Sequence, residues 1–65
     1  MEKPNEQDMA SIKAALRQEY AEPEVEAMLR TAQFDKDEFG VRVTYDNGVV
    51  DRFLFVTRLV HESAP

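Results

Sequence analysis

Residues 41–56, which read VRVTYDNGVVDRFLFV, decide the fold of this chain. At their centre Asn47-Gly48 is the strongest short-range signal for a β-hairpin, because both residues tolerate the positive φ angles of a tight turn. The first predicted strand, about residues 39–46, alternates between apolar and polar side chains. The second, about residues 49–60, carries large apolar side chains on both faces. The sequence therefore predicts an antiparallel hairpin that needs cover on both sides.

The register of the hairpin decides which side chains point inward, because a slip of one residue moves a whole strand to its other face. A two-residue Asn-Gly loop turns Phe53 and Phe55 outward and places Arg42 opposite Phe53. A three-residue Asp-Asn-Gly loop brings both phenylalanines inward but sets Arg42 against Arg52, a like-charge pair that costs up to about 1 kcal/mol. We therefore favour the two-residue loop.

Two helices are predicted before the hairpin, at about residues 6–21 and 23–33. Asn5 suits the N-cap of the first helix, since its side chain can accept hydrogen bonds from the free amide groups of the first turn. Pro23 ends that helix and suits the first turn of the next, and the short connection predicts a helical hairpin. Apolar side chains recur at helical spacing along both segments: Met9, Ile12, Leu16 and Tyr20, then Val25, Met28, Leu29 and Ala32.

The fold predicted from these elements is a single small α+β domain over residues 1–65, in which a two-helix hairpin packs on a C-terminal two-stranded antiparallel β-hairpin, in the order ααββ. The segment FDKDEFG is predicted as a charged loop, with an unusual backbone angle at Gly40, and residues 61–65 as a frayed tail. A chain of this length buries only roughly 60% of its unfolded surface, so we expect a homodimer that extends the sheet to four strands. The predicted core joins the helical stripes to Val41, Val43, Leu54 and Val56.

The charge distribution excludes several classes of partner. The net charge is −5, with ten acids against five bases in residues 1–40 and three of each in residues 41–65. An acidic helical half repels phosphate backbones and anionic lipids, so we expect neither direct nucleic-acid binding nor membrane binding. The chain has no cysteine and shows no apolar run typical of a signal peptide or membrane helix. We expect a cytoplasmic protein.

Residues that could carry chemistry are few, and we predict no catalytic, cofactor or metal site and no small-molecule substrate. His61 is the only histidine and lies in the predicted tail, where a solvated role is expected. A calcium-loop template is met in part by Asp35, Asp37, Gly40 and Asp46, but Phe39 stands where the template needs an oxygen ligand and no helix is predicted to follow. The chain is therefore not expected to be an enzyme.

The open face of the hairpin is the predicted functional surface, with interface residues Arg42, Asp51, Phe53 and Phe55. We expect a small acidic protein-interaction module, homodimeric and non-enzymatic, that acts as an accessory or regulatory protein, with a protein target as another possible cover. Two alternatives stay open. The tail or the FDKDEFG loop could fold over the rings, or the acids of residues 19–26 and 35–38 could imitate nucleic acid and block a nucleic-acid-binding protein.

Overall fold

Two helices lie on one face of a four-stranded antiparallel sheet in the computed structural model of the chain, which describes residues 3–55 and 58–63. The strands are neighbours in chain order, β1-β2-β3-β4. The α+β class is confirmed, whereas the prediction of only two strands is wrong. The elements are α1 (Glu6–Leu16), α2 (Glu22–Arg30), β1 (Gln33–Lys36), β2 (Gly40–Thr44), β3 (Val50–Leu54) and β4 (Arg58–Ser63).

Both helices are shorter than the sequence predicts. α1 begins at a capping box, in which the Asp8 amide donates to Asn5 Oδ1 at 2.8 Å and the Asn5 amide donates to Asp8 Oδ2 at 3.2 Å. It ends at Leu16 and not near residue 21, because the following turn tightens and the Glu19 amide donates to the Leu16 carbonyl, three residues back, at 3.0 Å. α2 ends at Arg30, before the chain turns into the sheet.

The first three residues of the predicted charged loop FDKDEFG belong to an edge strand, β1, and its last residue, Gly40, begins β2. β1 pairs with β2 through Phe34 opposite Val43 and Asp35 opposite Arg42. The strand was missed because the second inward position of this short segment is a lysine, so the apolar alternation is incomplete. Lys36 is accommodated there because its ammonium bonds the α1 carboxylate of Asp8 at 2.7 Å.

The single long strand predicted over residues 49–60 is two strands. β3 ends at Leu54, and β4 returns antiparallel to it from Arg58 to Ser63. Residues 55–57 read Phe-Val-Thr and include none of the usual turn formers, so the sequence has no signal for this reversal. Residues 61–63 of the predicted tail thus supply half of β4, while residues 64 and 65 lie outside the described residues, and FDKDEFG does not fold over the hairpin face. The sheet reaches four strands within one chain, so it does not need a second copy for that purpose.

The hairpin adopts the three-residue loop, and the two-residue loop that we favoured is wrong. Val41 lies opposite Phe53, the Tyr45 amide donates to the Val49 carbonyl at 2.9 Å, and the Gly48 amide donates to the Tyr45 carbonyl at 3.0 Å. Gly48 closes the turn with φ of 88°, a conformation that glycine adopts without strain. Phe53 therefore faces the helices.

The like-charge pair that argued against this register is present and is neutralised from other elements. Arg42 lies directly opposite Arg52. Glu62 of β4 accepts from Arg42 Nη2 at 3.1 Å and from Arg52 Nε at 3.3 Å, while Asp37 accepts from Arg52 Nη1 at 2.8 Å. The two carboxylates come from segments that were predicted as tail and loop, so their contribution was invisible in the hairpin alone.

The core lies between the helices and the inner face of the sheet. The predicted inward-facing positions of both helices are confirmed: their central apolar residues are buried, and Met9 and Met28 are partly buried beside them. Leu54, which was predicted as core, alternates to the outer face and is half-buried, while Val56 lies outside the described residues. The buried hydrophobic side chains are Ile12, Leu16, Val25, Leu29, Val41, Val43, Tyr45 and Phe53.

Candidate functional site

Two exposed aromatic residues lie together at the end of the β2–β3 ladder that is opposite the Asn-Gly turn. Phe39 is 65% exposed and Phe55 is 44% exposed. Their backbones are adjacent, because the Phe55 amide donates to the Phe39 carbonyl at 3.1 Å. The Lys36 ammonium lies 5.5 Å from the centre of the Phe55 ring, within the range of a cation–π contact. We call the two exposed rings the Phe39–Phe55 patch.

The size of this patch limits what it can contribute to binding. A fully buried aromatic side chain removes about 150–250 Å² from water, so the exposed parts of the two rings present roughly 200 Å². Covering that area is worth about 5 kcal/mol at ~25 cal/mol per Å², before the entropy that association loses. A typical stable interface covers about 800 Å² per partner. The patch can therefore be the centre of an interface, but an interface needs neighbouring surface as well.

The four predicted interface residues do not share one surface. Arg42 lies on the outer face of the sheet with its side chain partly exposed, and Phe55 belongs to the Phe39–Phe55 patch. Asp51 and Phe53 are 1% and 3% exposed, because the three-residue loop turns them toward the helices. The predicted role of these residues in binding another chain stays a prediction. Phe39, the more exposed phenylalanine of the patch, was not among them.

A polar network occupies the other end of the inner face. The Asp51 carboxylate accepts from Tyr45 Oη at 2.8 Å and from His61 Nδ1 at 2.6 Å. Burying a carboxylate without partners costs several kcal/mol, so these two donors are what makes the interior position tolerable. Burial and the bond to Asp51 raise the pKa of Tyr45 far above its ordinary value. The phenol therefore stays protonated and acts as a donor.

His61 joins this network to the helices. Its second nitrogen, Nε2, lies 3.1 Å from Glu19 Oε1, in the turn after α1. The hydrogen bonds to Asp51 and then to Glu19 raise the pKa of His61 above its ordinary value. Since both facing groups are carboxylates, the ring satisfies both only as an imidazolium, with each nitrogen donating. The predicted solvated tail histidine is thus a half-exposed member of a network that spans β4, β3 and the helical turn.

The chemistry open to this network is restricted by its own hydrogen bonds. Both nitrogens of His61 are engaged and Tyr45 donates to Asp51, so none of these groups is free in this arrangement to exchange a proton with a bound molecule. A cavity of about 230 Å³ lies beside Tyr45 and Asp51 and is bounded by Tyr20 and Met28. The hydrogen bonds of Tyr45, Asp51 and His61 are thus suited to holding β3, β4 and the turn after α1 together.

The partial calcium template is not assembled by the fold. Asp37 uses Oδ1 to accept from the Phe39 and Gly40 amides at 2.9 and 3.0 Å, and Oδ2 to accept from Arg52. Asp46 lies at the opposite end of β2. Within residues 3–55 and 58–63, no three histidine or acidic side chains are grouped so that they could hold a metal ion.

Neither helix in the described part of the chain has the length and apolar character needed to cross a membrane. Comparison with known protein families found no family that matches this chain, and comparisons with curated proteins and with solved structures found no match either.

Proposed function

We propose that this chain is a non-enzymatic protein-interaction module, a small accessory or regulatory protein of the cytosol that forms homodimers. The observation that carries this proposal is the Phe39–Phe55 patch. A domain with so small a core would gain stability by covering two exposed aromatic residues whose backbones are adjacent. Aromatic residues are also enriched at the energetic centres of protein interfaces.

A second copy of the chain suits this patch for reasons of symmetry and charge. A two-fold axis lets identical patches meet, and two-fold dimers are the commonest closed assembly. Residues 41–65 carry equal numbers of acids and bases, and Asp37 next to the patch is neutralised by Arg52. Two copies can therefore approach at this end of the sheet while the acidic helices stay apart.

Sedimentation equilibrium over a range of concentrations up to about 100 µM tests the proposal, because dimer formation depends on mass action. We expect the wild-type chain to shift from monomer to dimer over this range. The double variant with Phe39→Ser and Phe55→Ser should stay monomeric while keeping the circular dichroism spectrum of the folded chain. Val60→Ser is the matched control, because Val60 is also an exposed apolar residue, 37% accessible, but lies on the outer face of β4.

Sedimentation of the wild-type chain as a monomer at the highest concentration would contradict the homodimer. Dimerisation that survives in the double variant, or that is lost equally in Val60→Ser, would contradict the assignment of the interface to the Phe39–Phe55 patch.

The alternative of an acidic inhibitor that imitates nucleic acid has less support. Three acids of the predicted track have basic partners: Glu19 with His61, Glu22 with Arg17, and Asp37 with Arg52. These ion pairs reduce the negative potential that a basic nucleic-acid-binding surface would recognise. We therefore prefer the homodimeric interaction module.

A further inference from the structure

β4 is an edge strand, and its inner face is tied to the rest of the molecule through His61. Within the described sheet, its one neighbour is β3. The His61 ring contacts Asp51 of β3 on one side and Glu19 of the turn after α1 on the other. Since these partners are ten and 42 residues away in the chain, a single side chain connects the edge strand to the core of the sheet and to the helical layer.

We propose that His61 is a proton-dependent clasp that holds β4 against β3 and the α1 turn, so that loss of the ring proton loosens the strand. The basis is the pair of carboxylates that face the two ring nitrogens. An imidazolium donates to both at once. A neutral imidazole has one N–H and one lone pair, so it leaves one carboxylate without a donor and turns the lone pair toward it.

The direction of the pH dependence follows from the same contacts. The bonds to Asp51 and Glu19 raise the pKa of His61 above its ordinary value of 6.5, so the protonated ring is favoured in the folded chain. The stability that the clasp contributes is therefore fully present below about pH 6.5, the ordinary value, and is lost as the pH rises through the higher pKa of the folded state. Deprotonation also leaves the buried Asp51 carboxylate more dependent on Tyr45 alone.

The charged groups around β4 fall into two sets: those that face the His61 ring and those that hold the strand without it. The groups that face the ring are Asp51 from β3 and Glu19 from the helical turn, and Tyr45, which directly follows β2, reaches the ring only through Asp51. Glu62 follows His61 in the chain but is turned to the outer face, where it bonds Arg42 and Arg52. β4 thus has a second attachment that does not involve the imidazole, so deprotonation should loosen the strand without unfolding the chain.

Loosening of β4 has a structural consequence at β3. Leu59 of β4 lies opposite Phe53 in the ladder and packs against the core. When β4 detaches, the backbone edge of β3 over Val50–Leu54 loses its ladder partner and is exposed to solvent. The clasp would make that edge accessible at higher pH and keep it closed at lower pH.

Native-state hydrogen exchange, followed by NMR from about pH 6 to about pH 9, tests the clasp across the range in which a histidine of raised pKa titrates. Protection factors remove the intrinsic pH dependence of amide exchange. In the wild-type chain we expect protection of the β4 amides to fall several-fold over this range, while the β1–β2 ladder stays protected. The fall should begin near the ordinary histidine pKa and level off once the pH exceeds the pKa of the His61 ring, which is measured from its carbon-bound proton shifts.

Three variants make the experiment specific. His61→Gln keeps a side-chain N–H donor but does not titrate, so its β4 protection should be independent of pH. Glu19→Gln removes one of the two facing carboxylates from an exposed position, so the ring pKa and the loosening midpoint should move together to lower pH. Glu62→Gln is the control on the same strand and should keep the wild-type midpoint.

Wild-type β4 protection that does not change with pH would overturn the proposal. So would an unchanged pH dependence in His61→Gln. If His61→Gln does not fold, Glu19→Gln still decides, because a loosening midpoint that stays in place while the ring pKa moves would show that His61 does not control the strand.

Discussion

Asp51 occupies the inner face of β3, where an apolar residue would be expected. Its neighbour two positions on, Phe53, is part of the hydrophobic core, and Asp51 itself is the one buried charged side chain among the residues whose exposure is described. Its two donors lie on either side of β3: Tyr45 directly follows β2, and His61 belongs to β4. The residue therefore favours this order of strands, since only a chain with both β2 and β4 beside β3 provides both hydrogen bonds.

Gly40 is required by close packing of the backbone and not by its backbone angle, contrary to the sequence-based expectation. A Cβ at this position would overlap the Phe53 carbonyl oxygen and lie 2.9 Å from Leu54 Cα. By contrast, a Cβ on Gly48 would meet no atom within 4 Å, although its φ of 88° disfavours other residues. Glycine is therefore needed at Gly40 for lack of space and at Gly48 for its backbone conformation.

Gly40→Ala should destabilise the chain by about 3 kcal/mol, the upper end of the overpacking range, because the β2–β3 ladder must separate to admit the methyl group. Gly48→Ala should cost about 1–2 kcal/mol from backbone strain alone. Urea unfolding followed by far-UV circular dichroism measures both. A loss in Gly40→Ala no greater than that in Gly48→Ala would show that the backbone approach at Gly40 is not as close as described.

At the scale of elements, the outer face of the sheet is organised by a row of ion pairs across three strands. Glu62 of β4 bonds Arg42 of β2 and Arg52 of β3, and Arg52 also bonds Asp37 in the turn before β2. The row allows the hairpin register that places two arginines opposite each other. The row of ion pairs also connects β4 to β2, although these two strands are not neighbours in the sheet.

Glu62→Gln should destabilise the chain by up to about 1 kcal/mol, since these groups are partly exposed and the remaining arginines repel each other. The loss should be larger at low ionic strength, where screening is weaker. Glu38→Gln, an exposed acid in the turn before β2, is the control. Urea unfolding at low and high salt gives the comparison, and equal losses at both would contradict an electrostatic origin.

At the scale of the whole molecule, the helical layer is joined to both edges of the sheet by ionisable groups. Lys36 of β1 bonds Asp8 of α1 at one edge, and His61 of β4 contacts Glu19 at the other. The hydrogen bond from Lys36, and then that from the Asn5 amide, lower the pKa of Asp8 below its ordinary value. The two edges therefore respond to pH in opposite directions.

Asp8→Asn should weaken the acid dependence of stability. A depressed pKa means that the contribution of Asp8 is present above its unfolded value of 3.8 and is lost as the pH falls through the lower folded value. The wild-type chain should therefore lose stability below about pH 4 more steeply than Asp8→Asn, which is already less stable at neutral pH. Urea midpoints at a series of pH values measure this, with Glu6→Gln in the same helical turn as control. Parallel curves for wild type and Asp8→Asn would contradict the prediction.

Short-range patterns were sufficient for part of this architecture. Asn47-Gly48 placed the hairpin turn, Pro23 separated the helices, and the helical spacing of apolar residues identified the inner face of each helix, because each of these signals depends on neighbours within a few residues. The same patterns could not identify the Phe39–Phe55 patch in full, since the exposure of Phe39 depends on how the ladder ends.

Contacts between distant residues decided the rest. The hairpin register depends on Glu62, twenty residues from Arg42. The position of β4 depends on the contacts of His61 with Asp51 of β3 and with Glu19 after α1. From local sequence, a segment with charged or polar residues at inward strand positions is predicted as loop or tail. The fold tolerates such a residue because a distant partner of opposite charge offsets the free-energy cost of burying it. Local sequence therefore determined the helices and the hairpin turn, whereas tertiary ion pairs and hydrogen bonds determined the two edge strands, the register and the exposure of the Phe39–Phe55 patch.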